Sequence, residues 1–600
     1  MQQSYFEEKI NRNSEKQNKQ TSKLNRLSTL RVLTFVLGCG VIIISNLYQY
    51  TMGYVVGAVL LGSFIGLVRI YNKTKEKKLY YEARQKVLEQ YLERLGEGWK
   101  QFEENGELYK GEKSRVRDLD LLGRSSLYQY ICTAHTIFGK RALAQAIIYG
   151  HNNPEEIEKR QEAVKELIED ENFALHLQTI SMQINTQYKE DEEESLESFI
   201  SEAESKKQYV SKGMKLLALG LPFATLFCIV IGILGYKSKQ NFILGEIGVA
   251  IQIFIALFSA VKTSEIFKPI FKFNEDIGKY KEFLAALEGK TFTSSYLKEL
   301  QSKLLVNGGA VKGIIALNKL TRSVKLRYNF VANMIVNGLF MWDVHCKDAL
   351  EIWSKQYGKD IRKWLEVVGE IETLVSLAVI GRVKEMHCFP EIVASNTPMF
   401  QFEELAHPLI ANEKVVSNSF EMAGMTAIIT GSNMSGKTTF LRSIGVNLTL
   451  AYAGAPVAAK KLKASYMEVF TSMRIEDRVD EGISTFYAEL LRIKEMIEYS
   501  DKNIPMLALI DEIFKGTNSA DRILGATQTI RKLGKPCVNV MVTTHDFELC
   551  NLAEENMRKT RNYHFEEYYE KNQIKFDYKL KEGRCKTTNA KYLLKMVGIM

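Results

Sequence analysis

The chain opens on polar, helix-patterned residues, passes through four long apolar runs, and ends in short apolar runs punctuated by turn residues. Residues 30–44 are apolar or small apart from Arg31, and a second run, 52–70, follows almost at once. A third and a fourth, 216–234 and 242–261, are paired in the same way. Each run approaches the ~20 residues that a helix needs to cross a bilayer, so the pattern predicts two transmembrane hairpins. A cleaved signal sequence does not fit, because a long polar stretch precedes the first run and a second run follows it. Residues 72–210 and 263–395 are rich in Glu, Lys, Leu and Gln with few breakers, and read as helical. Within them, 189–204 reads as a solvated acidic helix or linker. Residues 314–350 read as one long amphipathic helix carrying Lys319, Arg322, Lys325 and Arg327. That basic face has two readings, a solvated surface or a DNA contact, and the solvated one is favoured. Past residue 396 the period changes to short buried strands at 425–430, 505–510 and 537–542, the pattern of a parallel α/β sheet.

Charge orients the hairpins. Lys9, Arg12, Lys16, Lys19, Lys23 and Arg26 precede the first run, and Lys73, Lys75, Lys77 and Lys78 follow the second. Lys206, Lys207, Lys212 and Lys215 precede the third, and Lys262, Lys268 and Lys272 follow the fourth. Basic flanks stay cytoplasmic, which predicts an integral protein of a prokaryotic plasma membrane with four spans, and both termini inside. Lys237 and Lys239 at the second tip run against this count. Glu246, inside the fourth run, reads as an interfacial residue near its outer end or as part of an ion path. The net charge of +9 on 600 residues permits an anionic partner without demonstrating one. Eight scattered cysteines, without a C-x-x-C pair, predict reduced thiols and no zinc site.

Chemistry concentrates near the C-terminal end. Gly431-Ser432-Asn433-Met434-Ser435-Gly436-Lys437-Thr438 lies between an apolar strand and a helix, the spacing of a phosphate-cradling loop. Glycines let the backbone approach phosphate, and the helix N-terminus receives negative charge. Lys437 is expected to reach the terminal phosphates of ATP, with Thr438 on Mg²⁺ and Thr439 beside it. The 505–510 strand ends in Asp511-Glu512, read as the Mg²⁺ carboxylate and the base for the attacking water. The 537–542 strand leads to His545 at the same sheet edge, a γ-phosphate sensor or a satisfied core histidine. Gly482, Ser484 and Thr485 open another helix, either as an anion-ready N-terminus acting across subunits or as a simple N-cap.

These residues resemble a known family, the MutS mismatch-repair ATPases. The matches run from Thr430 through Phe440, and continue in Ser484-Thr485-Phe486 with Glu489, Asp511-Glu512 with Gly516-Thr517-Asn518, and Thr544-His545, with His407-Pro408 ahead of them. A weaker likeness lies in residues 118–127, 136–143 and 153–164, which resemble the opening of the family's helical core. The resemblance implies an ABC-like, MutS-type P-loop ATPase domain at the C-terminus, preceded by a helical core and lever. It also implies a homodimer with composite sites, in which Asn433 contacts the nucleotide, Ser484 acts across the dimer, and Tyr578 stacks on adenine. The expected division is a basic tail (1–28), hairpin one (29–71), a helical linker (72–115), core (116–210), hairpin two (211–262), lever (263–395) and ATPase domain (396–600).

No mismatch-reading domain is expected ahead of the core, and Tyr5-Phe6-Glu7-Glu8 in the polar stretch is not read as an intercalating element. A membrane hairpin stands where the family interrupts its core with a DNA-clamping segment. The leading expectation is a membrane-anchored, MutS-like ATPase whose cycle switches a dimer, with the bilayer as partner and DNA as a further candidate from the resemblance. The alternatives are an ATPase driving transport or membrane remodelling, and an ATP-gated scaffold.

Overall fold

The computed structural model describes residues 2–184, 190–235, 238–432, 434–474, 485–515, 517–555, 559–570 and 573–585. Helices Gln2–Tyr48 and Thr51–Leu95, of 47 and 45 residues, fold back on each other at Gln49, whose φ of 52° reverses the chain. The polar stretch for which the sequence suggests a tail is the first half of the leading helix. No glycine or proline interrupts it before Gly38, and its Gln, Lys, Glu and Arg residues favour helix. Phe6 anchors it, buried and stacked on Tyr91 with ring centroids 5.2 Å apart. Tyr91 in turn accepts hydrogen bonds from Gln178 and Arg382, both at 2.9 Å. In the apolar half the helices touch closely, and a Cβ on Gly57 would lie 2.4 Å from the Ile42 side chain. Val36, Ile43, Val55 and Ile65 there face outward.

Lys212–Ile233 and Ser238–Phe258 form the second pair. Gln252 donates to Thr225 across it at 2.8 Å, and both are buried. Among the described residues, four helices are thus long and apolar enough to cross a membrane. Helical hydrogen bonding continues past Ser259, from Ser259 N to Ile255 O and from Thr263 N to Ser259 O. The second pair therefore runs directly into the Ala260–Glu288 helix of the core.

Two expectations for the helical region change. Residues 314–350 are not one helix: Ala310–Lys325 ends in a tight turn, Phe330–Phe340 follows, and Met341, at φ 50°, starts Trp342–Tyr357. Between Lys325 and Met341 the one charged residue is Arg327, and it is taken up by Asp343 and the Ala260 carbonyl, so no continuous basic face exists. The acidic Glu190–Glu204 helix is docked, not free: Phe199, Ile200 and Ala203 are buried, and Arg362 bridges Glu197 and Glu204 at 3.0 Å each.

The C-terminal lobe holds two larger sheets. In chain order its strands are β1 Glu391–Val393, β2 Met399–Leu405, β3 Asn418–Ala423, β4 Thr426–Thr430, β5 Lys461–Ser465 and β6 Glu468–Ser472. They continue as β7 Met506–Asp511, β8 Val538–Thr544, β9 Thr560–His564, β10 Glu567–Glu570, β11 Gln573–Phe576 and β12 Lys581–Glu582. The smaller sheet has the order β1-β5-β2-β3 and the main one β12-β9-β4-β8-β7-β6. From β9 to β6 the main sheet is parallel. Every residue of β4 and β8 is buried, as expected of strands covered on both faces. Strands β4, β7 and β8 end side by side, at Thr430, Asp511 and Thr544.

Ion pairs tie this lobe to the helical core. Asp118, with no exposed surface, accepts from Met473 N at 3.1 Å, Arg474 N at 3.3 Å and Arg492 Nη1 at 3.0 Å. Asp120 takes Arg442 at 3.1 Å and also pairs with Arg474. Arg160 donates to the Ala453 carbonyl at 3.1 Å, capping the C-terminal end of the Lys437–Ala453 helix, and pairs with Glu370.

Two outcomes follow. Phe6→Ala should cost about 3 kcal/mol of packing, seen in hydrogen exchange as lost protection in residues 2–28 while the C-terminal lobe is unchanged. Asp118→Ala strands the Arg492 cation and should cost about 3 kcal/mol in unfolding of the full chain. Asp118→Asn, which keeps an acceptor, should lose less.

Candidate functional site

The site forms where β4 gives way to the Lys437–Ala453 helix. Gly431 and Gly436 have φ of 153° and 104°. A Cβ on Gly431 would come within 2.7 Å of the Phe565 carbonyl, and one on Gly436 within 3.1 Å of the Tyr578 ring. Backbone therefore lies where side chains would obstruct. Lys437 folds over this loop, its Nζ donating to the carbonyls of Gly431 and Ser432 at 2.8 Å each. Burial lowers its pKa, against the opposing pull of Glu512 and Asp511. The Ser432 hydroxyl is bound by Glu567. Met434 stands out at 84 % exposure with φ 69°. Thr439 and Tyr578 line the same cavity of about 450 Å³ as Lys437, Thr438 and Glu512. Asn418 holds the Tyr578 carbonyl at 3.0 Å. His407 also lines the cavity, and burial pushes its pKa down to about 4.

The carboxylates meet this loop directly. Thr438 Oγ1 donates to Asp511 Oδ2 at 2.7 Å, and Thr543 binds the other Asp511 oxygen. Glu512 sits at φ 51°, its N–H held by the Thr543 carbonyl and hydroxyl at 3.1 and 3.0 Å. Its side chain meets His545 Nε2 at 3.0 Å and Lys515 Nζ at 2.7 Å. Burial opposes the charge on Glu512, but Lys515 and then His545 outweigh it, holding the carboxyl below its usual range. The His545 side chain is 42 % exposed, so it is not a core histidine. Three strand ends thus bring Thr438, Asp511, Glu512 and His545 into one group.

Asn433, Gly482, Ser484 and Gly516 lie outside the described residues. Thr485 opens the Thr485–Ser500 helix, and two side chains of that helix grip the turn after Glu512. Phe486 packs edge-on against Phe514 at 5.8 Å, and Glu489 accepts from Phe514 N at 2.6 Å. Burial pushes Glu489 up to about 7, despite the Phe514 hydrogen bond and the Arg492 charge. Asn518 caps the Ser519–Leu533 helix, accepting from Asp521 N at 3.0 Å. From that helix Arg522 reaches Asp546, next to His545, at 2.7 and 2.8 Å. The sequence reading missed Arg522, Lys515 and the Asp118 and Asp120 pairs. Among these only Lys515, three residues from Glu512, had a local signal.

The residues fit a nucleoside triphosphate with a divalent cation. Ser435 Oγ is buried in the loop without a hydrogen-bond partner, and Lys437 occupies only the loop's own carbonyls. Among the described residues no three His, Cys, Asp or Glu side chains gather. A Mg²⁺ site completed by water and phosphate needs no such cluster.

The family profile described as MutS domain V matches residues 427–599, which contain this whole constellation from the phosphate loop onward. The DNA mismatch repair protein MutS of Persephonella marina is 29% identical over 245 residues, 40% of this chain and 28% of that protein. MutS of Lysinibacillus sphaericus is 26% identical over 318 residues, 51% of this chain and 33% of its own length. The Endonuclease MutS2 of Carboxydothermus hydrogenoformans is 28% identical over 247 residues, 40% of this chain and 30% of that protein. The chain thus spans about a third or less of the curated relatives it matches. The likeness to MutS proteins is thus carried by the C-terminal lobe, whose residues 427–599 match MutS domain V.

Proposed function

We propose that this protein is a membrane-anchored ATPase that hydrolyses ATP to ADP and phosphate and uses the cycle to switch a dimer. The observation that carries the reading is the Thr438–Asp511 contact of 2.7 Å beside the Glu512–His545 pair at 3.0 Å. Lys437 exchanges the Gly431 and Ser432 carbonyls for phosphate oxygens, and loop N–H groups with the helix N-terminus receive the remaining charge. Thr438 and Asp511 would hold Mg²⁺, which when bound would neutralise charge on the phosphates. Glu512, ionised at neutral pH, takes the proton of the attacking water, and His545 orients it from the opposite side to Lys515. Tyr578 and His407 border the cavity on the side available to the base.

The second copy is a proposed partner. Ser484 and Thr485 would close over the nucleotide of the other subunit. Supporting this are large apolar side chains left exposed on the phosphate loop and the Thr485–Ser500 helix, Met434, Tyr487 and Leu491. The bilayer is the other partner, carried by four apolar helices with outward-facing large side chains. The N-terminal ends, the core and the ATPase lobe then lie on the cytoplasmic side. DNA binding rests on the names of the relatives alone. The long basic helix that the sequence suggests for it ends at Lys325.

Glu512→Gln should leave ATP binding intact and slow hydrolysis by about 10²–10³-fold, since it removes the base alone. Loss of binding with hydrolysis would overturn that role. Lys515→Ala removes the main contact that keeps Glu512 acidic, so burial then dominates and the carboxyl pKa rises. The acid limb of the kcat profile should accordingly move to higher pH, and an unmoved limb would assign the proton to another group. Adding duplex or mismatched DNA to the same assay tests the DNA partner, by stimulation that weakens with salt.

A further inference from the structure

The Phe330–Phe340 helix has eleven residues and no charge. An apolar stretch of that length is normally a buried core helix, or else an interfacial or re-entrant membrane segment. It is not buried. Phe330 is 76% exposed, Val331 64% and Ile335 55%, whereas the residues turned inward, Asn337 and Gly338, are covered.

What covers them is the second hairpin. A Cβ on Gly338 would lie 3.2 Å from Ile253 and 3.4 Å from Val249. At 1.5 Å per residue these side chains stand about 7 and 14 Å from Phe258, the cytoplasmic end of that apolar helix. Nearer the end, Arg327 donates to the Ala260 carbonyl at 2.6 Å and pairs with Asp343. The short helix therefore lies beside the hairpin from its charged edge to well inside its apolar length. Its exposed Phe330 continues the outward face that the hairpin makes with Phe254 and Phe258.

The ends are built for such a place. Asn329 caps the first turn, accepting from Ala332 N at 3.0 Å. At the other end Met341 N bonds to Asn337 O at 3.1 Å, and Asp343 N to the Asn337 side chain at 2.9 Å. These end groups are thus paired within the protein, which is what a helix in hydrocarbon needs. Tyr328 and Trp342 flank the helix, with exposed Arg322 and Lys325 just beyond, the residues that anchor at a headgroup layer.

We propose that Phe330–Phe340 is a fifth membrane-embedded element, a non-spanning helix sunk beside the second hairpin with lipid acyl chains against its outer face. The proposal rests on the membrane reading above. It makes the bilayer a direct contact of the core, since this helix links Ala310–Lys325 to Trp342–Tyr357.

The test uses the full chain in vesicles of phosphatidylethanolamine and phosphatidylglycerol, with a photoreactive benzoylphenylalanine at one position at a time. Ile335 and Val331 probe the proposal, Leu244 of the hairpin is the membrane control, and Leu524 of the ATPase lobe is the aqueous one. Lipid adducts at Ile335 and Val331 should match those at Leu244 and exceed those at Leu524 by about tenfold, because only side chains at hydrocarbon depth meet acyl chains. Adducts at Leu244 without any at Ile335 and Val331 would overturn the proposal and leave the membrane reading standing. Protein–protein adducts at Ile335 would assign the face to a second copy and overturn it too. No lipid adduct at Leu244, Ile335 or Val331 would overturn both.

Discussion

The two halves of this molecule are joined through a buried charge. Asp118 has no exposed surface, so its ionised form is costly unless every oxygen is occupied. Two backbone N–H groups, of Met473 and Arg474, and the Arg492 guanidinium occupy it. Those partners bracket residues 475–484, the stretch that holds Gly482 and Ser484. Asp120 adds Arg442 from the phosphate-loop helix. One short loop of the helical core therefore holds both the Lys437–Ala453 helix and the flanks of the segment expected to act in trans. Movement of either is felt by the core, because Arg492 supplies the cation on buried Asp118 and Arg442 shares Asp120 with Arg474.

A parallel route runs through Phe514. This residue follows the carboxylate pair in a left-handed conformation, φ 57°, that a bulky side chain adopts only when its surroundings hold it. Phe486 and Glu489 from the Thr485–Ser500 helix do so. The same helix carries Arg492, which binds Asp118. The turn that presents Glu512 and the core loop that carries Asp118 are thus two contacts of one helix. A change at Glu512 therefore has a route to the helical region that does not cross the sheet.

How much of this could be read from the sequence depends on the range of the interaction. The phosphate loop and Asp511-Glu512 were legible because local backbone chemistry dictates them: glycine where φ is positive, lysine at the helix start, carboxylates at a buried strand end. The apolar runs were legible for the same reason, since bilayer thickness sets their length. Pairs such as Asp118–Arg492 were not, because residues 374 apart in sequence leave no mark on either neighbourhood. The 314–350 stretch misled for a different reason. Basic residues at helical spacing before Leu326 suggested one amphipathic face, but the tight turn at Leu326–Tyr328 carries no proline or glycine to announce it.

The path from nucleotide to membrane can be followed through the same contacts. Arg160 holds the far end of the phosphate-loop helix at Ala453 and is itself paired with Glu370 on the Ile361–Leu377 helix. The Ala260–Glu288 helix packs in that core and is joined to the second hairpin through one turn residue, Ser259, which is hydrogen-bonded to both helices. A rigid helix transmits displacement instead of absorbing it, so the hairpin and the core must move together or the helix must bend at that point. Such a linkage favours anchoring or remodelling over solute passage. Glu246 is exposed on the outside of the hairpin, and the buried pair Gln252–Thr225 between the two helices is neutral. A charged path would need ionisable groups turned inward, and the carboxylate in this span turns outward.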